Sequence, residues 1–145
     1  MHIAIGSDHA GFTLKQAVIG LLSELGHNYK DFGCFDESSV DYPDIAQPVA
    51  EAVSQGKFDR GILVCSTGIG MCIVANKIAG IRAALCHDTF SARRCREHND
   101  ANVLCLGEWV IGQGLMREIV TTYLSTEFVG GRHARRLKKI RAIES

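Results

Sequence analysis

Short apolar runs with strand character alternate with longer helical stretches along this chain, and that alternation constrains its fold more than any other feature. The runs are His2 to Ile5, Tyr29 to Phe32, Gly61 to Cys65, Ile81 to Leu85 and Val103 to Leu106. Between the first two, Leu14, Ala17, Val18, Leu21, Leu22 and Leu25 recur at helical spacing, and Gly26 closes that helix. Further helices are expected from about Asp44 to Ser54, from Gly70, from about Thr89, and from about Ile111 to Ser125. The tail beginning at Gly130-Gly131 reads as a short basic helix with Leu137 and Ile140 on one side. Strands alternating with helices predict an α/β fold with a five-stranded, mostly parallel sheet wrapped on both faces. Such sheets bind ligands beyond the carboxyl ends of their strands. Those ends carry Asp8-His9, Cys65 to Gly70 and His87-Asp88, with the His98-Asn99 turn just before the fifth strand.

The 145 residues read most simply as one domain, 1–145, long enough for a core without staples. Formal charge is zero but unevenly placed. Residues 132–141 hold Arg132, Arg135, Arg136, Lys138, Lys139 and Arg141 with no acid; the remaining ten basic residues face sixteen acids, so the tail carries +6 and the body −6. That tail suits an anion or a partner surface. Without interleaved aromatics on a neutral protein, it argues against nucleic acid. Six cysteines occur with no CxxC pair, and Cys95-Arg-Glu-His98 lacks the two further ligands of a zinc site. With no leader-like segment ahead of the first strand, free thiols in a reducing cytoplasm are expected. No apolar run approaches the roughly 18 residues of a membrane span.

The segment from Gly61 to Arg82 carries the chemistry. The run Ile62-Leu63-Val64 ends in Cys65, and a glycine-punctuated turn, Ser66-Thr67-Gly68-Ile69-Gly70, leads into a helix. A thiol facing the amides of a helix start sits in a positive local field that favours thiolate. The same amides can hold an anion formed beside the sulfur. The plainer alternative is a buried cysteine on a tight strand-to-helix turn. A cysteine-phosphatase loop would need Arg where Met71 stands, no Gly-Lys-Ser/Thr occurs for a P-loop, and Gly6-Ser7-Asp8-His9-Ala10-Gly11 lacks dinucleotide-fingerprint spacing. What survives suits proton abstraction or acyl chemistry. Asp8 also fits a helix N-cap, and Asn99-Asp100 a helix stop. Gly130-Gly131-Arg132-His133-Ala134-Arg135-Arg136 fits either a phosphate fork or a basic helix end.

Five blocks, GSDHAG (6–11), VDYPD (40–44), ILVCSTGIGMCIVANKIAGIRAAL (62–85), REHNDANVL (96–104) and GGRHARR (130–136), resemble ribose-5-phosphate isomerase type B. That group also holds galactose-6-phosphate isomerase subunits. The resemblance covers nearly the whole length. It implies a Rossmann-like three-layer α/β/α sandwich with a C-terminal helical tail. It also implies aldose–ketose isomerisation of a phosphorylated sugar through an enediolate, with no metal or cofactor, in a homodimer or dimer of dimers whose site is shared between subunits. By position, Cys65 would be the base moving hydrogen between C1 and C2, with Thr67 and Asp8 handling the O1 and O2 protons. Amides from Ser66 through Gly68, Ile69 and Gly70 would form the anion hole. His98 would assist ring opening, His9 would contact sugar or phosphate, Asn99, Arg132 and Arg136 would bind substrate, and Tyr42 would line the pocket. His98 and Asn99 would act across the dimer interface. Three positions depart from the family pattern: Ser66 and Cys72 stand where Gly and Ser are common, and Trp109 where many members carry Arg. Ribose 5-phosphate is the expected substrate. A six-carbon sugar phosphate (allose 6-phosphate or galactose 6-phosphate) and a non-catalytic sugar-phosphate-binding subunit are the alternatives.

Overall fold

The computed structural model describes residues 1–144; Ser145, the last residue of the expected domain, lies outside the described residues. Five strands among them, β1 (His2–Ser7), β2 (Asn28–Asp31), β3 (Arg60–Cys65), β4 (Ala83–Leu85) and β5 (Val103–Gly107), form one sheet in the order β2-β1-β3-β5-β4. Every pairing is parallel, so the expected mostly parallel sheet is wholly so. The helices are α1 (Phe12–Glu24), α2 (Tyr42–Ser54), α3 (Ile69–Ala75), α4 (Thr89–Glu97), α5 (Gln113–Ser125) and α6 (Arg132–Ile143), with a single 3-10 turn at His9–Gly11.

Side chains alternate across a strand, and both faces of this sheet are covered. Ile3, Ile5, Ile62, Val64, Leu104 and Leu106 pack with α1, α4 and α5 on one face. Ala4, Leu63, Cys65, Val103 and Cys105 pack with α2 and α3 on the other. Two covered faces require the near-continuous apolar strands seen in the sequence, and β1, β3 and β5 are buried almost end to end. The outer strands β2 and β4 are short and partly open.

Several boundaries shift from the expected ones, each for a local reason. α2 starts at Tyr42 because Pro43 fits its first turn. β4 starts at Ala83 because Ile81 N–H turns back to Ile78 O and Arg82 N–H donates to the Asn102 side chain. α5 starts at Gln113, since Ile111 N–H is taken by Gly107 O in a preceding turn. The basic tail is a full twelve-residue helix rather than a short one. No helix among the described residues is long and apolar enough to cross a membrane.

The sheet order reverses between β1 and β3, which run side by side although β2 and α2 separate them in sequence. Their carboxyl ends therefore open onto the crevice where parallel sheets of this type bind ligands. Asp8 follows β1 there and Cys65 ends β3.

Candidate active site

Cys65 is the last residue of β3 and only 4% exposed. Gly68 N–H donates to its sulfur at 3.0 Å, so the turn that follows folds back over the thiol. That turn needs glycine at 68: φ is +77°, and a Cβ would lie 2.6 Å from Leu85 Cδ1 and 2.9 Å from the Leu106 backbone. Two bonds pin the turn to the chain leaving β5, from Glu108 N–H to Cys65 O (2.9 Å) and from Trp109 N–H to Ser66 O (3.0 Å). Gly107 allows the close approach, since a Cβ there would sit 2.7 Å from the Thr67 backbone. Thr67 Oγ1 accepts from Ile69 N–H at 3.2 Å at the start of α3. Gly70 faces the Tyr42 ring, which a Cβ would approach to 2.6 Å.

Asp8 sits beside this turn. Its backbone N–H donates to Val64 O at 3.2 Å, and its buried carboxylate caps Gly11 N–H at 3.0 Å. His9 Nδ1 accepts from Val40 N–H at 3.2 Å. Asp8, His9 and residues 39–44, Tyr42 among them, line a cavity of about 460 Å³. One wall of that region is anchored by Lys15, which is wholly buried and bonds both Asp31 oxygens (2.8 and 2.9 Å) and Cys34 O. A buried ammonium with three oxygen partners is satisfied in the manner a buried charge requires. It fixes the start of the loop that carries Val40 and leads to Tyr42.

The remaining expected residues lie elsewhere in the chain. His98 ends α4 and stacks on His133 of α6, with ring centroids 4.1 Å apart and planes within 10°. Burial, and then the positive charge of His98, Arg132 and Arg136, holds the His133 imidazole below its ordinary pKa. Arg132 and Arg136 lie one turn apart on α6. This group precedes β5, whose five residues span about 16 Å to the edge where Cys65 lies. Asp8, His9, Tyr42 and Cys65 to Gly70 thus gather at the carboxyl edge, while His98, Asn99, Arg132 and Arg136 gather at the amino edge. A larger concavity of about 800 Å³ runs under α6 past Asn99, Leu137 and Ile140, with Lys77, Arg82 and Glu144 also in its lining.

Sequence reasoning missed Glu108, whose Oε1 accepts from Leu14 N–H at 2.6 Å and so ties the first turn of α1 to the segment that pins Cys65. It also missed Lys15 and the partnership of His133 with His98. Gly107 directly before Glu108 was the available signal, because a glycine closing a buried strand marks a close backbone approach.

Similarity to known proteins extends over nearly the whole chain. A family model described as Ribose/Galactose Isomerase matches residues 3–140. A ribose-5-phosphate isomerase B from Clostridium thermocellum superposes with a TM-score of 0.98 at 53% identity, covering 99% of this chain and 97% of that one. A ribose-5-phosphate isomerase B from Mycoplasma genitalium with bound ribulose-5-phosphate superposes with a TM-score of 0.94 at 41% identity, covering 99% and 95%. A D-erythrulose-4-phosphate isomerase from Pectobacterium atrosepticum is 48% identical over 97% of this chain and 93% of its own length.

Proposed function

This chain belongs to the ribose/galactose isomerase family, and from that premise we propose that it interconverts ribose 5-phosphate and ribulose 5-phosphate through an enediolate. The observation that carries the reading is the Cys65 sulfur, held at 3.0 Å by Gly68 N–H at the carboxyl end of β3, beside the Asp8 carboxylate. Cys65 removes the proton from C2 of the open-chain aldose and returns it to C1. Asp8 and Thr67 carry the accompanying proton between O1 and O2. Gly68 N–H is already engaged with sulfur and Ile69 N–H with Thr67, so the enediolate oxygens fall to the other amides of the stretch Ser66 to Gly70. First-turn amides of a helix have no intrahelical acceptor, and a well-aimed donor to a developing oxyanion contributes about 3–4 kcal/mol.

His98, Asn99, Arg132 and Arg136 complete this site from a second copy of the chain. In one copy they stand a strand's length from Cys65, and exposed Ile69, Phe90, Trp109 and Val110 give the carboxyl side an apolar rim suited to a partner. The two arginines then hold the phosphate, and binding at that remote group keeps C1 and C2 in register with the sulfur.

The test is an isomerase assay on ribose 5-phosphate, allose 6-phosphate, galactose 6-phosphate and erythrulose 4-phosphate. Erythrulose 4-phosphate enters because a relative of 48% identity bears its name. The expected result is the highest kcat/KM on ribose 5-phosphate. Cys65→Ala should lower turnover by on the order of 10²–10⁴-fold, the usual contribution of a general base, while calorimetry shows sugar-phosphate binding retained. Near-normal turnover in that variant would overturn the base assignment. A higher kcat/KM on another sugar would overturn the substrate.

A further inference from the structure

Asp100 directly follows the His98–Asn99 pair and is the one non-glycine residue with positive φ among the described residues, at +47°. It ends the turn that leaves α4. Its N–H donates to Arg96 O at 3.2 Å, and the N–H of Ala101 donates to Cys95 O at 2.9 Å. Helices usually give a left-handed position at their end to glycine, which adopts it without a Cβ penalty. Asp100 brings a carboxylate instead, and arginines take both of its oxygens. Arg96 Nη1 donates to Oδ1 at 2.7 Å, and Arg82 Nη2 donates to Oδ2 at 3.3 Å. Arg82 Nε also donates to the backbone O of Asp100 at 2.9 Å.

Both arginines are themselves fixed. Arg96 is 3% exposed and also donates to Ala101 O at 2.9 Å and Thr126 O at 3.2 Å. Arg82 is held through its backbone: its N–H donates to Asn102 Oδ1 at 2.8 Å, and its O accepts from Asn102 N–H at 3.0 Å. Arg82 leads into β4 and Asn102 into β5, so the grip on Asp100 is built on the amino edge of the sheet. On the other side of the turn, the His98 ring is stacked on His133. Asn99 stands between these two anchors and lines the larger concavity together with Arg82. Pairing the buried Arg96 takes one carboxylate oxygen. The second grip, from Arg82, removes the freedom of the turn to pivot about the end of α4.

We propose, on the isomerase reading above, that Asp100 is a positioning residue whose doubly held carboxylate aims His98 and Asn99 at the substrate. A residue kept in a sparsely populated backbone region persists only where its surroundings hold it there, and such residues gather at functional sites. Groups that bind or act on a substrate need their supporting hydrogen bonds to be locked in the same way. Misplacing such a group by about 1 Å can lower a rate by on the order of 10²-fold.

The experiment measures kcat/KM on ribose 5-phosphate, with thermal melts, for Asp100→Asn, Asp100→Gly and Asp100→Ala. Asn tolerates the left-handed backbone and keeps one oxygen for an arginine. Gly adopts that backbone freely but has no carboxylate. Asp100→Asn is expected to keep most of the activity, while the folded Gly and Ala variants lose on the order of 10- to 100-fold. Should those two melt below the assay temperature, Arg82→Ala removes the second grip and is expected to lose activity in the same direction. Unfolded and refolded together with Cys65→Ala, Asp100→Gly should rise above either variant alone, because the hybrid has one site with both Cys65 and an intact turn. Refolded with His98→Ala it should not rise, since both defects lie in the same half of the site. Asp100→Gly at wild-type turnover would overturn the proposal. So would its failure to rise with Cys65→Ala where Cys65→Ala and His98→Ala do restore each other. If that control pair fails, the two-chain site falls and the Gly and Asn variants alone decide on Asp100. Wild-type protein inactive on every sugar phosphate would overturn the isomerase reading and the proposal with it.

Discussion

At the scale of residues, the site depends on close approaches as much as on reactive groups. Gly107 lets β5 end against the Thr67 backbone, and a methyl group there would stand 2.7 Å from it. Backbone gives way poorly, so Gly107→Ala is expected to cost about 1–3 kcal/mol of stability, as overpacking does. It should also lower kcat more than it raises KM, because it displaces the turn that places Cys65. Urea unfolding and steady-state kinetics on the same preparation read both effects. Cys65, its glycine turn and Asp8 were legible in the sequence because each lies within a few positions of a strand end. Glu108 and Lys15 were not, since their partners are 94 and 16–19 residues away and no local pattern marks such pairs. Cys72 read as a departure from the family pattern, but its contacts with Asn76 and with Ala83 O needed the fold to bring α3 onto β4.

At the scale of elements, the sequence placed all five strands and six helices, and its errors were confined to ends. Ile81 and Ile111 looked like strand and helix by hydrophobicity, but side-chain and turn hydrogen bonds claim the backbone around them. The position of α6 was beyond the sequence, because it rests on the stack of His133 on His98 and on the Glu144 carboxylate accepting from Gly80 N–H. This attachment carries a pH dependence. The unfolded chain protonates His133 near 6.5, and the folded ring resists protonation to lower pH, first through burial and then through His98, Arg132 and Arg136. The unfolded state therefore binds more protons in that interval. Stability from the neutral ring is complete above about 6.5 and is lost as pH falls through the lower folded value. Thermal melts between about pH 7.5 and 5.5 should show an acid loss that shrinks in His133→Phe, which keeps a stacked ring without the proton site. His27, lowered by burial and the amino terminus, acts in the same direction in both proteins and cancels from the comparison.

At the scale of the whole molecule, the expected residues fall into two groups at opposite edges of the sheet, and a two-fold pairing of chains is the simplest way to join them. Mixing Cys65→Ala with His98→Ala, followed by unfolding and joint refolding, tests this directly. A hybrid dimer has one site with both residues intact and one with neither, so statistical pairing should restore about a quarter of wild-type turnover. Activity no higher than that of the separate variants would place a complete site within one chain.

The sheet's outer strands bear on that assembly. β2 has four residues, with Lys30 among them, and β4 has three. Rows this short, one of them charged, make poor templates for an incoming strand. The molecule is thereby guarded against growing side by side into fibrils, and a concentrated solution of it has only its helix faces and apolar rim through which to associate.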